Sequence, residues 1–416
     1  MIQKYLEDYA VYWRNSEPRF PLLNRKFNFS DKQARERVLD QYLESVKTLR
    51  KKKQSGHTFS AKDERHFLDR TRNFLCHTLD FTTDQLDVML SPETTEVCRQ
   101  FATQARQFDP TIDFKDILQA GRNVWIMNGL QIVLGLPVKL TPSIFAYSLL
   151  YPYTDNLIDN PEITSFDKMI FSNNFHKRLE GKPIKPNNPS EEIIYSLVAM
   201  IEEEFPRADY PGVYQSLLAI HETQTNSVQL MLPEGTLSET ETLKICLAKG
   251  GASVIADGYL VAGTLTKEQE FFLFGYGAYL QLLDDIQDVK EDGDAGLKTL
   301  FSKNHELLEM KINQTWWFGD QVMQGLSLLG GQHLEVFGSL MQKSMDLFII
   351  EAIAQNPDLY SLKYIHEMEA HSPFSFSYIQ KQKSQFAPYH GFLLTAMDEV
   401  VFDTCVPEKE VVMAAG

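Results

Sequence analysis

The chain has 416 residues, 40 Lys and Arg against 56 Asp and Glu, a net charge of −16, and 43% hydrophobic residues. That length holds one large or two ordinary domains with ample apolar content for a core. The acidic balance argues against a nucleic-acid binder, because phosphate backbones select clustered Lys and Arg.

The first stretch, MIQKYLEDYAVYWRN, is charged throughout and lacks the apolar centre of a signal peptide. No stretch offers the uninterrupted apolar run of a membrane span, and VVMAAG holds no prenylation cysteine. A soluble, cytoplasmic protein is the expectation, with a homodimer compatible with it. Cys76, Cys98, Cys246 and Cys405 form no CxxC pair and are expected to be reduced, buried small residues.

Periodicity reads as helix almost throughout, with runs of alternating β-branched residues essentially missing. Residues 31–53 form a charged amphipathic helix whose basic run, Arg50–Lys53, reads as a solvated end. Ser60 opens another through capping-box spacing to Asp63. Residues 114–134 form a long, largely apolar helix stopped by Gly135 and Pro137. Thr141-Pro142 then starts a helix that Pro152 should kink and Pro161 should end.

Residues 162–189 read as a helix fragment and a loop, and Ser190 begins the next helix. Five more follow over 211–232, 239–263, 267–291, 303–328 and 331–354, with capping-box spacing at Ser238–Glu241 and Thr266–Gln269. The expected fold is all-α. Residues 1–110 are expected to form a helical accessory layer on a main helical domain, 111–416, the two making one continuous unit.

Two carboxylate clusters fall at helix ends. In Tyr153-Thr154-Asp155-Asn156-Leu157-Ile158-Asp159, the aspartates are four apart and share a face. There they repel one another and oppose the helix dipole, so something positive should compensate. The second cluster, Asp284-Asp285-Ile286-Gln287-Asp288, follows FFLFGYGAYLQLL, a run apolar on nearly every face and so buried all round. Asp284 and Asp288 share one face; Asp285 and Asp292 continue a neighbouring column. Carboxylates this dense need cations, and hard oxygen ligands suit Mg²⁺. Glu291 and Asp292 are read as more often solvated than ligating.

At these residues the chain resembles the class I isoprenoid synthase superfamily. LLDDIQDVKEDGD looks like the second Asp-rich motif, DDxxD, of trans-polyprenyl diphosphate synthases. DNLID is unlike their first motif; it is most like the DNLCD core of the large-terpene synthases, the tetraprenyl-β-curcumene synthase family, as is LAKGGASVIADGYLVAG. The resemblance spans roughly residues 112–300. It implies an antiparallel helical bundle around an apolar cavity, in which Mg²⁺ ions, three in number, bridge Asp155, Asp159, Asp284, Asp285 and Asp288 to a prenyl diphosphate. Those ions reconcile an acidic protein with an anionic substrate. The allylic C–O bond then ionises, and the carbocation must be kept from water.

Asp155, Asp159, Asp284 and Asp288 are accordingly the expected catalytic residues. Lys249 is the expected diphosphate-binding cation, and Gly250-Gly251 should loosen or break its helix. Arg122, beside Asn123, interrupts an apolar helix and serves either the diphosphate or an internal salt bridge. Gln229 ends a polar column with Glu222 and Asn226 that is either solvated or pocket-lining. Tyr151, Tyr147 and Ser148 lie below the first motif, Gln281 and Gly277 below the second, either as substrate contacts or as core.

Two reaction classes remain. One is a terpene synthase that cyclises or rearranges a single substrate. The other is a prenyltransferase, either chain-elongating or coupling two prenyl diphosphates head to head, as squalene and phytoene synthases do. A helical scaffold with decayed motifs is disfavoured, because both clusters keep their carboxylates.

Overall fold

A computed structural model describes residues 2–23, 25–54, 61–160, 162–233, 235–302 and 307–385. These carry seventeen α-helices and no strand: α1 Gln3–Asn15, α2 Phe29–Gln54, α3 Ala61–Leu79, α4 Thr83–Met89, α5 Pro92–Phe108, α6 Phe114–Val133, α7 Pro142–Asp159, α8 Ser165–Leu179, α9 Pro189–Glu204, α10 Pro211–Ser227, α11 Glu239–Ala262, α12 Lys267–Gln287, α13 Val289–Ala295, α14 Leu308–Met323, α15 Leu334–Gln355, α16 Leu362–His371 and α17 Phe376–Gln385. The fold is all-α. Ser60, Pro161 and Cys405 fall outside the described residues.

Local chemistry accounts for the boundaries. Thr141 Oγ1 accepts from Ile144 N, and proline follows at the first turn of α7. Reciprocal capping boxes, Ser238 with Glu241 and Thr266 with Gln269, start α11 and α12. Gly135 and Gly263 end their helices with positive φ, 72° and 73°, which other residues resist.

Several boundaries differ from expectation. The segment 162–189 holds a full helix, α8, and α9 is capped by Asn188 with Pro189 as its first residue. Expected as one helix, 267–291 instead breaks at Asp288, where φ −92° and ψ 12° leave the helical region. The expected helix over 211–232 ends at Ser227 and continues as a 3₁₀ turn, Val228–Met231.

Helix α11 is the centre of the molecule, packing most extensively on α12 and α10 and also touching α1, α6 and α7. Among the described residues it is the one helix long and apolar enough to cross a membrane, yet 78% of its most apolar window is buried inside the protein. Its glycines explain the close packing. A Cβ on Gly250 would strike the Gly277 carbonyl of α12, and one on Gly251 would lie 2.5–2.7 Å from the Phe274 ring. The helix is therefore unbroken through Lys249-Gly250-Gly251, contrary to expectation: the glycines admit a neighbour rather than loosen the backbone.

Helix α1 fastens to this centre through aromatic residues. Tyr9 donates to the Phe271 carbonyl at 3.0 Å and Trp13 Nε1 to Thr315 Oγ1 at 3.1 Å. The buried carboxylate of Glu270 accepts from Tyr5 and Tyr259, both at 2.6 Å, and from Lys267 at 2.8 Å. Burial alone would raise its pKa, but these hydrogen bonds outweigh it and hold the group below the ordinary carboxylate value.

Candidate active site

Antiparallel packing brings the two acidic helix ends to one end of the bundle. Tyr151 and Ser253 hydroxyls meet at 2.8 Å and set the level of α7 against α11. One turn onward along α7 stands Asp155; one turn back along α11 stands Lys249. On the other side, Gly277 lies against Gly250, and two turns onward along α12 Asp285 meets the Cys246 thiol. The C-terminal ends of α7 and α12 therefore flank the N-terminal half of α11. Both ends carry partial negative charge from their helix dipoles in addition to their aspartates.

Within the second cluster the three aspartates differ sharply. Asp284 is exposed, Asp288 half-buried and Asp285 only 5% exposed. Gln281 Nε2 donates to Asp285 Oδ1 at 2.9 Å, whereas Oδ2 is buried with no hydrogen-bond partner among the described residues. Burial, with Asp284 adding repulsion, pushes Asp285 up to about 6 against the Gln281 and Cys246 hydrogen bonds and the Lys249 charge. The break at Asp288 turns α13 so that Asp292 faces the same group. Burial and the charges of Asp285, Asp288 and Asp284 push Asp292 up to about 7, again with Lys249 opposing. Asp292 thus belongs electrostatically to the cluster, and Asp285, rather than the Asp284–Asp288 face, is its most buried member.

Across α11, Asp155 is half-buried and accepts from Gln119 Nε2 of α6 at 3.0 Å. Asn156 donates to Asp116, also of α6, at 3.0 Å. Asp159 closes α7, and its side chain lies outside the described residues. Among the described residues no group of three or more His, Cys, Asp or Glu side chains is placed to hold a metal ion. The charge of Lys249 bears on Asp285 and Asp292.

A polar column runs from this end into the interior. On α7 it comprises Asp155, Tyr151 and Tyr147; on α11, Lys249, Ser253 and Asp257, each set at four-residue spacing. Burial deepens along it: Asp155, Tyr151, Lys249 and Ser253 are half-buried, while Tyr147 and Asp257 are buried. Tyr147 and Tyr151 hydroxyls stand 3.3 Å apart. Burial pushes Asp257 up to about 8, with the neighbouring Asn123 amide pulling the other way. That same amide donates to Ser148 at 3.2 Å.

No protein-family model matches the chain, and no curated protein matches it in sequence. A solved structure, that of a geranyltransferase from Legionella pneumophila, aligns with a TM-score of 0.37 and 14% identity over 68% of this chain and 98% of that one. A similarity of that size carries no argument about this protein.

Several expected site residues sit differently from their sequence reading. Arg122 is exposed rather than buried in the apolar face of α6; its neighbour Asn123 takes the interior position. Gln229 is exposed on the 3₁₀ turn beyond α10, so the helical column with Glu222 and Asn226 is cut at Ser227. Gly277 is packed against Gly250 and Val254. Gln281 donates to Asp285 Oδ1. Gln119 and Asp257 escaped the sequence reading, although an aspartate in IADGYL, eight residues beyond Lys249 on an apolar helix, was a visible signal.

Proposed function

We propose that this protein is a class I isoprenoid synthase that ionises a linear prenyl diphosphate with divalent cations and cyclises or rearranges the resulting carbocation. The observation that carries the reading is the orphaned, buried Asp285 Oδ2 within a gathering of aspartates, set at the same end of the bundle as Asp155. Gln281 and the Cys246 thiol hydrogen-bond this carboxylate, yet its burial beside like charges remains costly, and a cation would relieve that cost.

Mg²⁺ is the ion this donor set would take: Asp155 on α7 and Asp284, Asp285 and Asp288 on α12 would offer hard oxygen ligands, with Asp159 a further candidate from the sequence motif, and water and phosphate oxygens would complete the coordination. Bound there, the ions would neutralise charge on the departing diphosphate. Gln119 and Gln281 fix the carboxylates on either side. Lys249 supplies a fixed positive charge between them, suited to a diphosphate oxygen. Below, the faces of α6, α7, α11 and α12 are largely apolar, and on this reading they would shelter the hydrocarbon chain and exclude water. Aromatic faces of Tyr147 and Tyr151 stand ready for positive charge.

Single-substrate chemistry is favoured over chain elongation by the first motif: no Arg or Lys follows Asp159 until Lys168, where a second diphosphate would call for cations. Incubation with C10 to C35 prenyl diphosphates, each with and without isopentenyl diphosphate, in Mg²⁺ or EDTA, tests this. Hydrocarbon or alcohol formed from one diphosphate in Mg²⁺ alone is expected. Product only with isopentenyl diphosphate would assign the protein to the prenyltransferases.

A further inference from the structure

The polar column poses a question that diphosphate binding leaves unanswered. Asp257 lies two helical turns below Lys249, is 1% exposed, and its Oδ1 has no hydrogen-bond partner among the described residues. A structural carboxyl in so apolar a helix would be expected to use both oxygens, because each unpaired buried oxygen destabilises the fold. Groups charged or titratable around it are Tyr147 and Tyr151, which face it from α7 and feel its charge, with the neutral Asn123 on α6. None donates to Oδ1.

Resting on the function proposed above, we infer that Asp257 is the catalytic base that ends the reaction by taking a proton from the substrate-derived carbocation. The C–H bond next to the cationic carbon breaks, its electron pair becomes the new alkene π bond, and the proton passes to Asp257 Oδ1. Turnover is completed when that proton reaches the released diphosphate at the carboxylate end; the Tyr147, Tyr151 and Ser253 hydroxyls, spaced at 3.3 and 2.8 Å, line the outer part of that route, and the first transfer requires the Tyr147 hydroxyl to close onto the protonated Oδ1. Proton and leaving group thus depart together, and no outside acid, base or oxidant is needed.

The position of Asp257 suits this role. On the proposed function ionisation would take place beside Lys249 and the aspartates, whereas the distal part of an extended prenyl chain, where the charge arrives after cyclisation, would lie deeper along α7 and α11. A base near the diphosphate would quench the cation before it rearranged. One placed two turns below acts only on charge that has migrated. Burial, which favours the neutral carboxyl, gives this base a further signature: its competence should rise with pH through about 8.

The test separates ionisation from termination. Full-length wild type, Asp257→Asn and Tyr147→Phe are given Mg²⁺ and the prenyl diphosphate that wild type turns over fastest. Pyrophosphate release and product composition are measured together from pH 6 to 9. Asp257→Asn is expected to release pyrophosphate within about threefold of wild type, while its ratio of alkene to water-captured alcohol falls roughly 100-fold, the low end of what a positioned proton acceptor contributes. Tyr147→Phe should shift the ratio in the same direction by less. The wild-type ratio should climb with pH, and that of Asp257→Asn should stay flat.

An unchanged product mixture in Asp257→Asn overturns the assignment while leaving the proposed synthase intact. So does a loss of pyrophosphate release in a variant that melts like wild type, since Asp257 would then serve ionisation. Failure of wild type to release pyrophosphate from any of the substrates overturns both.

Discussion

Asp285→Asn is expected to lower turnover of a prenyl diphosphate on the order of 1000-fold, the scale seen when a group stabilising developing charge is removed. Asparagine keeps the shape and still accepts from Gln281, but it removes the charge from the most buried member of the second cluster. Helix content and melting should be preserved or slightly improved, because an orphaned buried oxygen beside like charges is itself destabilising. Asp284→Asn, at an exposed position, should cost less. Steady-state pyrophosphate release in saturating Mg²⁺ measures both. Near wild-type activity in Asp285→Asn would remove this residue from the metal site.

The second large effect concerns the scaffold. Gly277→Val should destabilise the protein by about 3 kcal/mol, at the upper end of ordinary overpacking costs. Its Cβ would strike the Gly250 carbonyl and come within 2.9 Å of the Val254 Cβ, and backbone cannot swing aside as a flexible side chain can. Parting α11 from α12 would also move Asp285 away from Lys249, so catalysis should fall with stability. Gly293→Ala is the counterpart. It lies in α13 with nothing within 4 Å of its would-be Cβ, so alanine should stabilise by up to about 1 kcal/mol through helix propensity. Urea unfolding reads both changes; a Gly277→Val protein as stable as wild type would show that the helix crossing tolerates a side chain.

Fold class was legible because helical periodicity, caps and breakers are local signals. Ser238–Glu241 and Thr266–Gln269 form the capping boxes that their spacing announces. What escaped depended on neighbours distant in sequence. Gly250 and Gly251 look like helix-weakeners until Gly277 and Phe274 are packed against them. Arg122 and Asn123 are adjacent, and only the helix's rotation decides which faces inward.

The same limit shaped the reading of the site. Spacing alone pairs Asp284 with Asp288, but the break at Asp288 and the burial of α12 single out Asp285 and draw in Asp292. Asp257 shows how a chemically telling residue hides when it carries no motif. Its meaning comes from Tyr147, Tyr151 and Asn123, which belong to other helices.

Whether the ends of α7 and α12 form one cation site for a diphosphate is tested most directly by crystals grown with Mn²⁺ in place of Mg²⁺ and with pyrophosphate, because manganese is located by its anomalous scattering. Anomalous peaks are expected within about 2.0–2.3 Å of carboxylate oxygens of both Asp155 and Asp285, with pyrophosphate oxygens completing the coordination near Lys249. Pyrophosphate bound elsewhere, or no peak at either aspartate, would contradict a shared cation site.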